Sequence, residues 1–288
     1  MARYVVRGGV AGVERHRLLA QCLWPTTQTL LRRARLRRGM RCLDVGCGIG
    51  DVTLRMAQWV GPAGHAVGLD SDAAFLAAAR QEATQRQLPA LFRQGRAEDL
   101  DDEAAYDLVY TRGLLTHVAD PAGVVERMVR AACPGGSIVA EEPYFRARLC
   151  SPASRAFERC GELMQAAVQH HGGDPNIGPR VLGFFLDSGV QQVQLTGVLP
   201  LFYQGEEKRI VSITLEHVQE ALTTAGLASP SDIETVVAEL ETFAQAPHTM
   251  LSQPMLVQVW GRKPSHSTTL PTRAVRKGQR PIVPQAQR

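Results

Sequence analysis

The chain has 288 residues, of which 44% are hydrophobic and 21% are charged, and this composition excludes a largely disordered or collagen-like protein. Its formal net charge of +4 is concentrated in residues 264–288, which contain five basic side chains and no acidic one. The rest of the chain is therefore close to neutral, so we expect no electrostatic binding of nucleic acid. The segment 264–288 is predicted to be a disordered basic tail.

The six cysteines form no Cys-x-x-Cys pair and lack the spacing of a zinc site, so we predict reduced thiols and no metal site. The N-terminal residues lack the apolar stretch of a signal peptide. No apolar run approaches the length of about 20 residues that a membrane-spanning helix needs. These features together predict a cytoplasmic protein that does not enter a membrane.

The first half of the chain alternates between predicted helices and strands. Leucines at helical spacing in residues 12–36, interrupted by Pro25, predict two helices or one kinked helix, and residues 1–38 are interpreted as an N-terminal helical lid. Further strands are predicted at 42–45, 65–70, 91–93, 107–110 and 137–141, and helices at 51–60, 73–87 and 121–132. This alternation is typical of a doubly wound α/β fold, in which ligands bind at the carboxyl ends of parallel strands.

Beyond residue 141 the pattern becomes mainly helical. Ser151-Pro152 indicates the start of a helix that ends at Gly172-Gly173. Later helices are predicted at 179–188, 206–225 and 231–245, and strands at 190–202 and 255–260. The excursions at about 144–177 and 206–248 are interpreted as helical insertions in a domain spanning 39–263, placed where they cover the ligand edge of the sheet.

A glycine-rich segment joins the first strand to the helix that follows it. In Asp44-Val45-Gly46-Cys47-Gly48-Ile49-Gly50 the glycines let the backbone turn tightly and approach a ligand, and the helix amides add a positive end. A nicotinamide-dinucleotide fingerprint would place glycine at position 51, where this chain has Asp51. A carboxylate is a poor neighbour for a pyrophosphate, so the segment favours a ligand without phosphate.

An acidic residue, Asp70, stands at the end of the second strand, twenty residues beyond Gly50. A carboxylate at this place can accept hydrogen bonds from both hydroxyls of a ribose. The alternative is an aspartate that only ends the strand or caps the next helix. The ordered combination with the glycine segment favours the nucleoside site.

With these motifs in this order, the sequence resembles the class I S-adenosylmethionine (SAM)-dependent methyltransferases, especially bacterial small-molecule enzymes of the ubiquinone-biosynthesis-like type. The resemblance covers residues 39–142. Its motifs are Leu43-Asp44-Val45-Gly46-Cys47-Gly48, Gly68-Leu69-Asp70, Ala97-Glu98-Asp99-Leu100, Tyr106-Asp107-Leu108-Val109 and Pro134-Gly135-Gly136. It implies SAM as cofactor and a Rossmann-like, mostly parallel seven-stranded sheet with helical cap insertions.

The resemblance also implies which residues hold the cofactor. The glycine segment would hold the methionine part of SAM, Asp70 the ribose, residues 96–98 the adenine, and the residues after the fourth strand the methionine end. The expected cofactor-binding residues are Asp44, Gly46, Cys47, Gly48, Gly50, Asp70, Ser71, Ala97, Glu98, Thr111 and Arg112. Where the family often has Asp, this chain has Arg96, which cannot accept a hydrogen bond from the adenine amino group. That contact is left to the backbone of Ala97 and Glu98.

Two side chains near the ends of the fourth and fifth strands are candidate catalytic residues. His117 could take a proton from an acceptor hydroxyl or amine, because an unperturbed imidazole has a pKa of about 6.5. Glu142 could bind or deprotonate the acceptor. The alternatives are a structural role for His117 and a solvated carboxylate for Glu142.

The sequence predicts a methyltransferase that acts on a small-molecule acceptor of a secondary-metabolite or quinone-like kind, and it is compatible with a homodimer. One alternative is a SAM-binding enzyme that does not methylate, such as a cyclase, because the motifs report cofactor binding and not turnover. Another is a nucleic-acid methyltransferase or regulator. The near-neutral body argues against that alternative, as does Thr111-Arg112-Gly113-Leu114 in place of a base-flipping Asn/Asp-Pro-Pro-Tyr/Phe motif.

Overall fold

The computed structural model describes residues 9–265, with the side chains of residues 9–11 left out. Residues 1–8 of the predicted lid, and residues 266–288 of the predicted tail, lie outside the described residues. The helices are α1 (Gly9–Arg33), α2 (Asp51–Val60), α3 (Ala73–Gln85), α4 (Pro121–Ala131), α5 (Arg155–His170), α6 (Val181–Asp187), α7 (Ile210–Thr224) and α8 (Pro230–Gln245). The strands are β1 (Arg41–Val45), β2 (His65–Asp70), β3 (Ala90–Gln94), β4 (Tyr106–Arg112), β5 (Ala132–Tyr144), β6 (Cys150–Ser151), β7 (Gln191–Val198), β8 (Leu201–Phe202), β9 (Met250–Ser252) and β10 (Met255–Arg262).

Seven strands form the central sheet, in the order β3-β2-β1-β4-β5-β10-β7. Strands β1 to β5 are parallel to one another, whereas β10 runs antiparallel to both of its neighbours, β5 and β7. The chain leaves β1 for β2 on one side and returns to β4 on the other side, which places the topological switch point between β1 and β4. The predicted doubly wound, mostly parallel seven-stranded sheet is confirmed, and its ligand edge lies at the carboxyl ends of these two strands.

Burial explains why these segments form the sheet. After its first residue, β1 is buried throughout, and the central part of β5 is also buried, as expected for strands covered by helices on both faces. Helix α2 directs Val52, Leu54 and Met56 into this core, and α4 directs Val125 and Met128 into it. The core therefore fixes the ends of β1 and β4 rigidly.

The two predicted insertions pack against each other as one helical cap. Helices α5, α7 and α8 share a buried core that contains Phe157, Leu215 and Ile233. A three-stranded antiparallel sheet, β6-β9-β8, packs against the helices of this cap. The sequence did not predict this small sheet because β6 and β8 have two residues each, too few to show an alternating pattern.

The structure decides between the alternatives for the first helix and corrects two later boundaries. Helix α1 is a single helix with Pro25 inside it, not two helices, since it is buried both against the central sheet and against the cap. The predicted strand 190–202 is divided at Pro200 into β7 and β8, which belong to different sheets. Helix α5 begins at Arg155 and not at Pro152, because the Ser154 hydroxyl accepts a hydrogen bond from the Phe157 amide at 3.2 Å.

Candidate functional site

The glycine segment forms a tight loop between β1 and α2. Gly46, Gly48 and Gly50 have φ angles of +75°, +54° and +78°, in the left-handed region that favours glycine. The amides of Gly46 and Cys47 both donate to the Leu69 carbonyl of β2, at 2.8 and 3.0 Å. The predicted strand, turn and helix are therefore present at the carboxyl edge of β1.

The three glycines serve different purposes. A Cβ at Gly46 would lie 2.9 Å from the Leu114 side chain, and one at Gly50 would lie 2.7 Å from Phe92, so these two positions are small because the protein packs against them. At Gly48 the nearest atom would be Cδ2 of His16, at 3.8 Å. A Cβ at Gly48 would therefore make only an ordinary van der Waals contact, so the protein packs less tightly here than at Gly46 or Gly50, which fits close approach of a ligand to the backbone.

Asp70 is tied directly to this loop. Its Oδ2 accepts a hydrogen bond from the Gly48 amide at 2.7 Å, and its Oδ1 accepts from the Asp72 amide at 2.9 Å. Burial raises the pKa of the Asp70 carboxyl, whereas these backbone hydrogen bonds lower it. Helix α3 is capped by Asp72, which accepts from Ala74 and Phe75, so capping does not account for Asp70. Each Asp70 oxygen keeps a lone pair with which to accept a further hydrogen bond.

Asp51, at the start of α2, carries a buried acceptor without a hydrogen-bond partner. Its Oδ1 accepts from Nε of Arg55 at 3.0 Å, but its Oδ2 has no hydrogen-bond partner among residues 9–265. Nη2 of Arg112 lies 3.8 Å from this Oδ2, beyond hydrogen-bond distance, and Nη1 of Arg112 donates to Thr27 at 3.2 Å. An ammonium group at the glycine loop would satisfy Asp51, and a carboxylate would suit Arg112. This pair fits the amino-acid end of SAM. From the sequence, Asp51 served only to exclude a pyrophosphate.

Three other residues expected at the cofactor are engaged within the protein. Oδ2 of Asp44 accepts from the Thr53 hydroxyl at 2.7 Å, and burial raises the pKa of Asp44 to about 7. The Thr111 hydroxyl donates to the Val45 carbonyl at 2.8 Å and joins β4 to β1. Burial also raises the pKa of the Cys47 thiol. These side chains hold the loop in shape.

The expected adenine side is formed by a short turn after β3. Ala97 is buried there, and Glu98 accepts from Nη2 of Arg96 at 3.0 Å. Arg96 also lies 3.9 Å from Asp99, so its charge is balanced by neighbouring carboxylates. Ser71, next to Asp70, is exposed.

Glu142 lies inside β5, which extends further than the sequence predicted, and its side chain is fully buried. Its carboxylate accepts hydrogen bonds from the amides of Leu114, Leu115 and Thr116, at 3.1, 3.0 and 3.2 Å. Burial raises the pKa of Glu142 to about 8, although these amides act in the opposite direction. Glu142 thus fastens the turn that follows β4.

His117 is the last residue of the turn whose backbone amides donate to Glu142. Burial is the main cause that lowers its pKa to about 4, and the positive charge of Arg15 adds to this effect. The imidazole is therefore neutral near pH 7, but it is a weaker base than a free imidazole. Glu142 binds the amides of Leu114, Leu115 and Thr116, and His117 is the next residue of the chain.

Helix α1 covers the glycine loop. Its His16 lies over Gly48 and contacts the Phe75 ring, with 4.8 Å between ring centroids. Burial and the nearby Arg15 lower the pKa of His16 to about 4. The sequence placed Arg15 and His16 in the predicted lid, but an amphipathic period does not show which residues of a helix face the loop.

In the part of the chain that the structure describes, no helix is long and apolar enough to cross a membrane. The same residues contain no group of three or more His, Cys, Asp or Glu side chains placed to hold a metal ion.

The family model of the methyltransferase domain matches residues 36–192, more than half of the chain. The chain belongs to this family. Its fold, its glycine loop and its relatives confirm the resemblance to class I SAM-dependent methyltransferases, with SAM as cofactor.

Two curated relatives and one solved structure illustrate the likeness. A demethylmenaquinone methyltransferase of Halalkalibacterium halodurans is 31% identical over 49% of this methyltransferase-domain chain and 55% of that relative. A ubiquinone biosynthesis O-methyltransferase of Alkalilimnicola ehrlichii is 36% identical over 35% of this chain and 40% of that relative. The matches thus span about half the length of these relatives or less. The crystal structure of the [4+2]-cyclase SpnF is 20% identical, with a TM-score of 0.52, covers 84% of this chain and 81% of its own, and shows the fold alone.

Proposed function

We propose that this protein transfers the methyl group of SAM to a small-molecule acceptor of a secondary-metabolite or quinone-like kind. The observation that carries the proposal is the set of groups around the glycine loop: the loosely packed Gly48, the Asp70 carboxylate and an Asp51 Oδ2 that has no hydrogen-bond partner among residues 9–265. The relatives named for demethylmenaquinone and ubiquinone biosynthesis support an acceptor of this class.

The residues that hold SAM lie at the carboxyl ends of β1, β2 and β4. Asp70 would accept hydrogen bonds from the ribose hydroxyls, Asp51 would accept from the ammonium, and Arg112 would bind the carboxylate of the methionine part. Bound SAM supplies a sulfonium whose methyl group is electrophilic. The protein's main contribution is then to align the acceptor with the sulfur–carbon axis, which lowers the entropic part of the barrier.

His117 is the candidate base for an acceptor that must lose a proton. The turn bound by Glu142 fixes its position, and the imidazole is neutral near pH 7, while its lowered pKa of about 4 makes it a weaker base than a free imidazole. We assign Glu142 a positioning role, because backbone amides occupy both of its oxygens. Helix α1 and the cap would cover the acceptor and exclude water.

The proposed activity is tested by incubating the purified protein with methyl-labelled SAM and a metabolite extract. We expect transfer of label to a small molecule, which mass spectrometry identifies as heavier by one methyl group. A cyclase on the same fold would give a rearranged product without label. Cofactor-dependent formation of such an unlabelled product would contradict methyl transfer.

Two further proposals concern the cellular location of the protein and its oligomeric state. A cytoplasmic location is supported by the free state of all six cysteines, three of which are buried. Reduced thiols of this kind are usual in the cytosol. A homodimer stays a prediction from sequence, which sedimentation would test.

A further inference from the structure

Arg15 on helix α1 has a feature that the proposed cofactor site leaves unused. Its side chain is buried, with a relative exposure of 8%, and its Nε donates to the Thr214 hydroxyl of α7 at 3.1 Å. Among residues 9–265 its Nη1 finds no hydrogen-bond acceptor. A buried guanidinium group with a free donor is costly, so an anion bound there would stabilise the protein.

Arg15 lies on α1 next to the residue that covers the cofactor loop. That residue, His16, lies over Gly48, while Thr214 ties Arg15 to the cap. The positive charge of Arg15 lowers the pKa of His117 as well as that of His16. This position is between α1, the glycine loop and the cap, where the acceptor is expected.

The histidines near Arg15 do not compete for an anion. Both His16 and His117 have pKa values lowered to about 4 and are neutral at pH 7. The guanidinium of Arg112 is directed toward Thr27 and Asp51. Of these four side chains, Arg15 is therefore the cation with an N–H group available to donate to an anion.

We propose that Arg15 binds a carboxylate on the acceptor and thereby selects acceptors that carry a negative charge beside the atom that is methylated. This inference rests on the proposed function, since it takes the acceptor to lie under α1. The carboxylate orients the acceptor, and the nucleophilic atom is a different group, because a guanidinium bound to that atom would lower its nucleophilicity.

The test uses benzoate and benzamide as probes, since they share a ring and differ in charge. Each is titrated into protein saturated with S-adenosylhomocysteine (SAH), and binding is followed by ligand-observed NMR. We expect the protein to bind benzoate about tenfold more tightly than benzamide, the size of effect usual for a charge-assisted hydrogen bond. Arg15→Met should abolish this preference. Equal binding of the two probes to the unmodified protein, or an unchanged preference in Arg15→Met, would overturn the assignment.

Arg17→Met is the matched control, because it removes the same charge from the same helix at a side chain that is 57% exposed. It should keep the preference for benzoate. SAH affinity checks the fold of each variant. If Arg15→Met does not fold, Arg15→Lys decides, since lysine lacks the planar fork and should lower the preference several-fold. The preference for benzoate over benzamide is measured without methyl transfer. If the protein keeps this preference but transfers no methyl group, the result would contradict the proposed function and leave the assignment of Arg15 standing.

Discussion

Replacement of Asp70 by Ala is expected to weaken SAH binding by about ten- to a hundredfold, the equivalent of roughly 1.5 to 3 kcal/mol for hydrogen bonds to a charged acceptor. Asp70 holds the Gly48 amide at 2.7 Å and has lone pairs left for the ribose. The variant therefore loses both the ribose acceptor and the support of the loop. Calorimetric titration with SAH measures the effect.

Asp72→Asn is the control for this prediction. Asp72 is a neighbouring carboxylate, but it caps α3 through the amides of Ala74 and Phe75, and asparagine caps helices equally well. Its SAH affinity should equal that of the unmodified protein. An unchanged dissociation constant in Asp70→Ala would place the ribose elsewhere.

Glu142→Ala is expected to destabilise the fold by about 3 to 5 kcal/mol, because it leaves three backbone amides beside β5 without an acceptor. Chemical denaturation measures the free energy of unfolding. Glu142→Gln keeps one acceptor oxygen and should lose less. If Glu142 acted only as a base, both variants would keep their stability and lose turnover, and that result would reject the positioning role.

The pH dependence of stability gives a second measure of Glu142. Its pKa in the folded protein is raised from 4.5 to about 8, so the unfolded chain releases this proton at lower pH than the folded chain. The contribution of Glu142 to stability is therefore complete below pH 4.5 and is lost as the pH rises through 8. Glu142→Gln should lack this loss when the two proteins are compared across the same range.

The fold could be predicted from sequence because its signals are local. The glycines after β1, the acid that ends β2 and the alternation of apolar strands with helices each appear within a few residues. The small sheet could not be predicted, since β6 and β8 acquire strand geometry only by pairing with β9, which is far away along the chain. Packing against both the sheet and the cap likewise overrides the break that Pro25 suggests.

Some residues of the candidate site could likewise be predicted from the sequence, and others are visible only in the structure. Gly48 and Asp70 were predicted because their spacing follows from the turn between a strand and a helix. The sequence placed Arg15 only in a lid, and it could not show that Arg15 Nη1 and Asp51 Oδ2 lack hydrogen-bond partners among residues 9–265, because burial and hydrogen bonding depend on tertiary structure. The sequence indicated that Glu142 lies near the ligand edge, but only the structure shows that three backbone amides donate to its carboxylate.

We propose that the edge between β1 and β4 is a nucleoside site for SAM and not for a dinucleotide. Calorimetric titration of the unmodified protein with SAM, SAH and NAD tests this proposal. The loosely packed Gly48, together with Asp51 at the position where a dinucleotide site needs glycine, predicts micromolar binding of SAM and SAH and no measurable binding of NAD. Tight binding of NAD, with no heat on addition of SAM or SAH, would show that the site is not a SAM site.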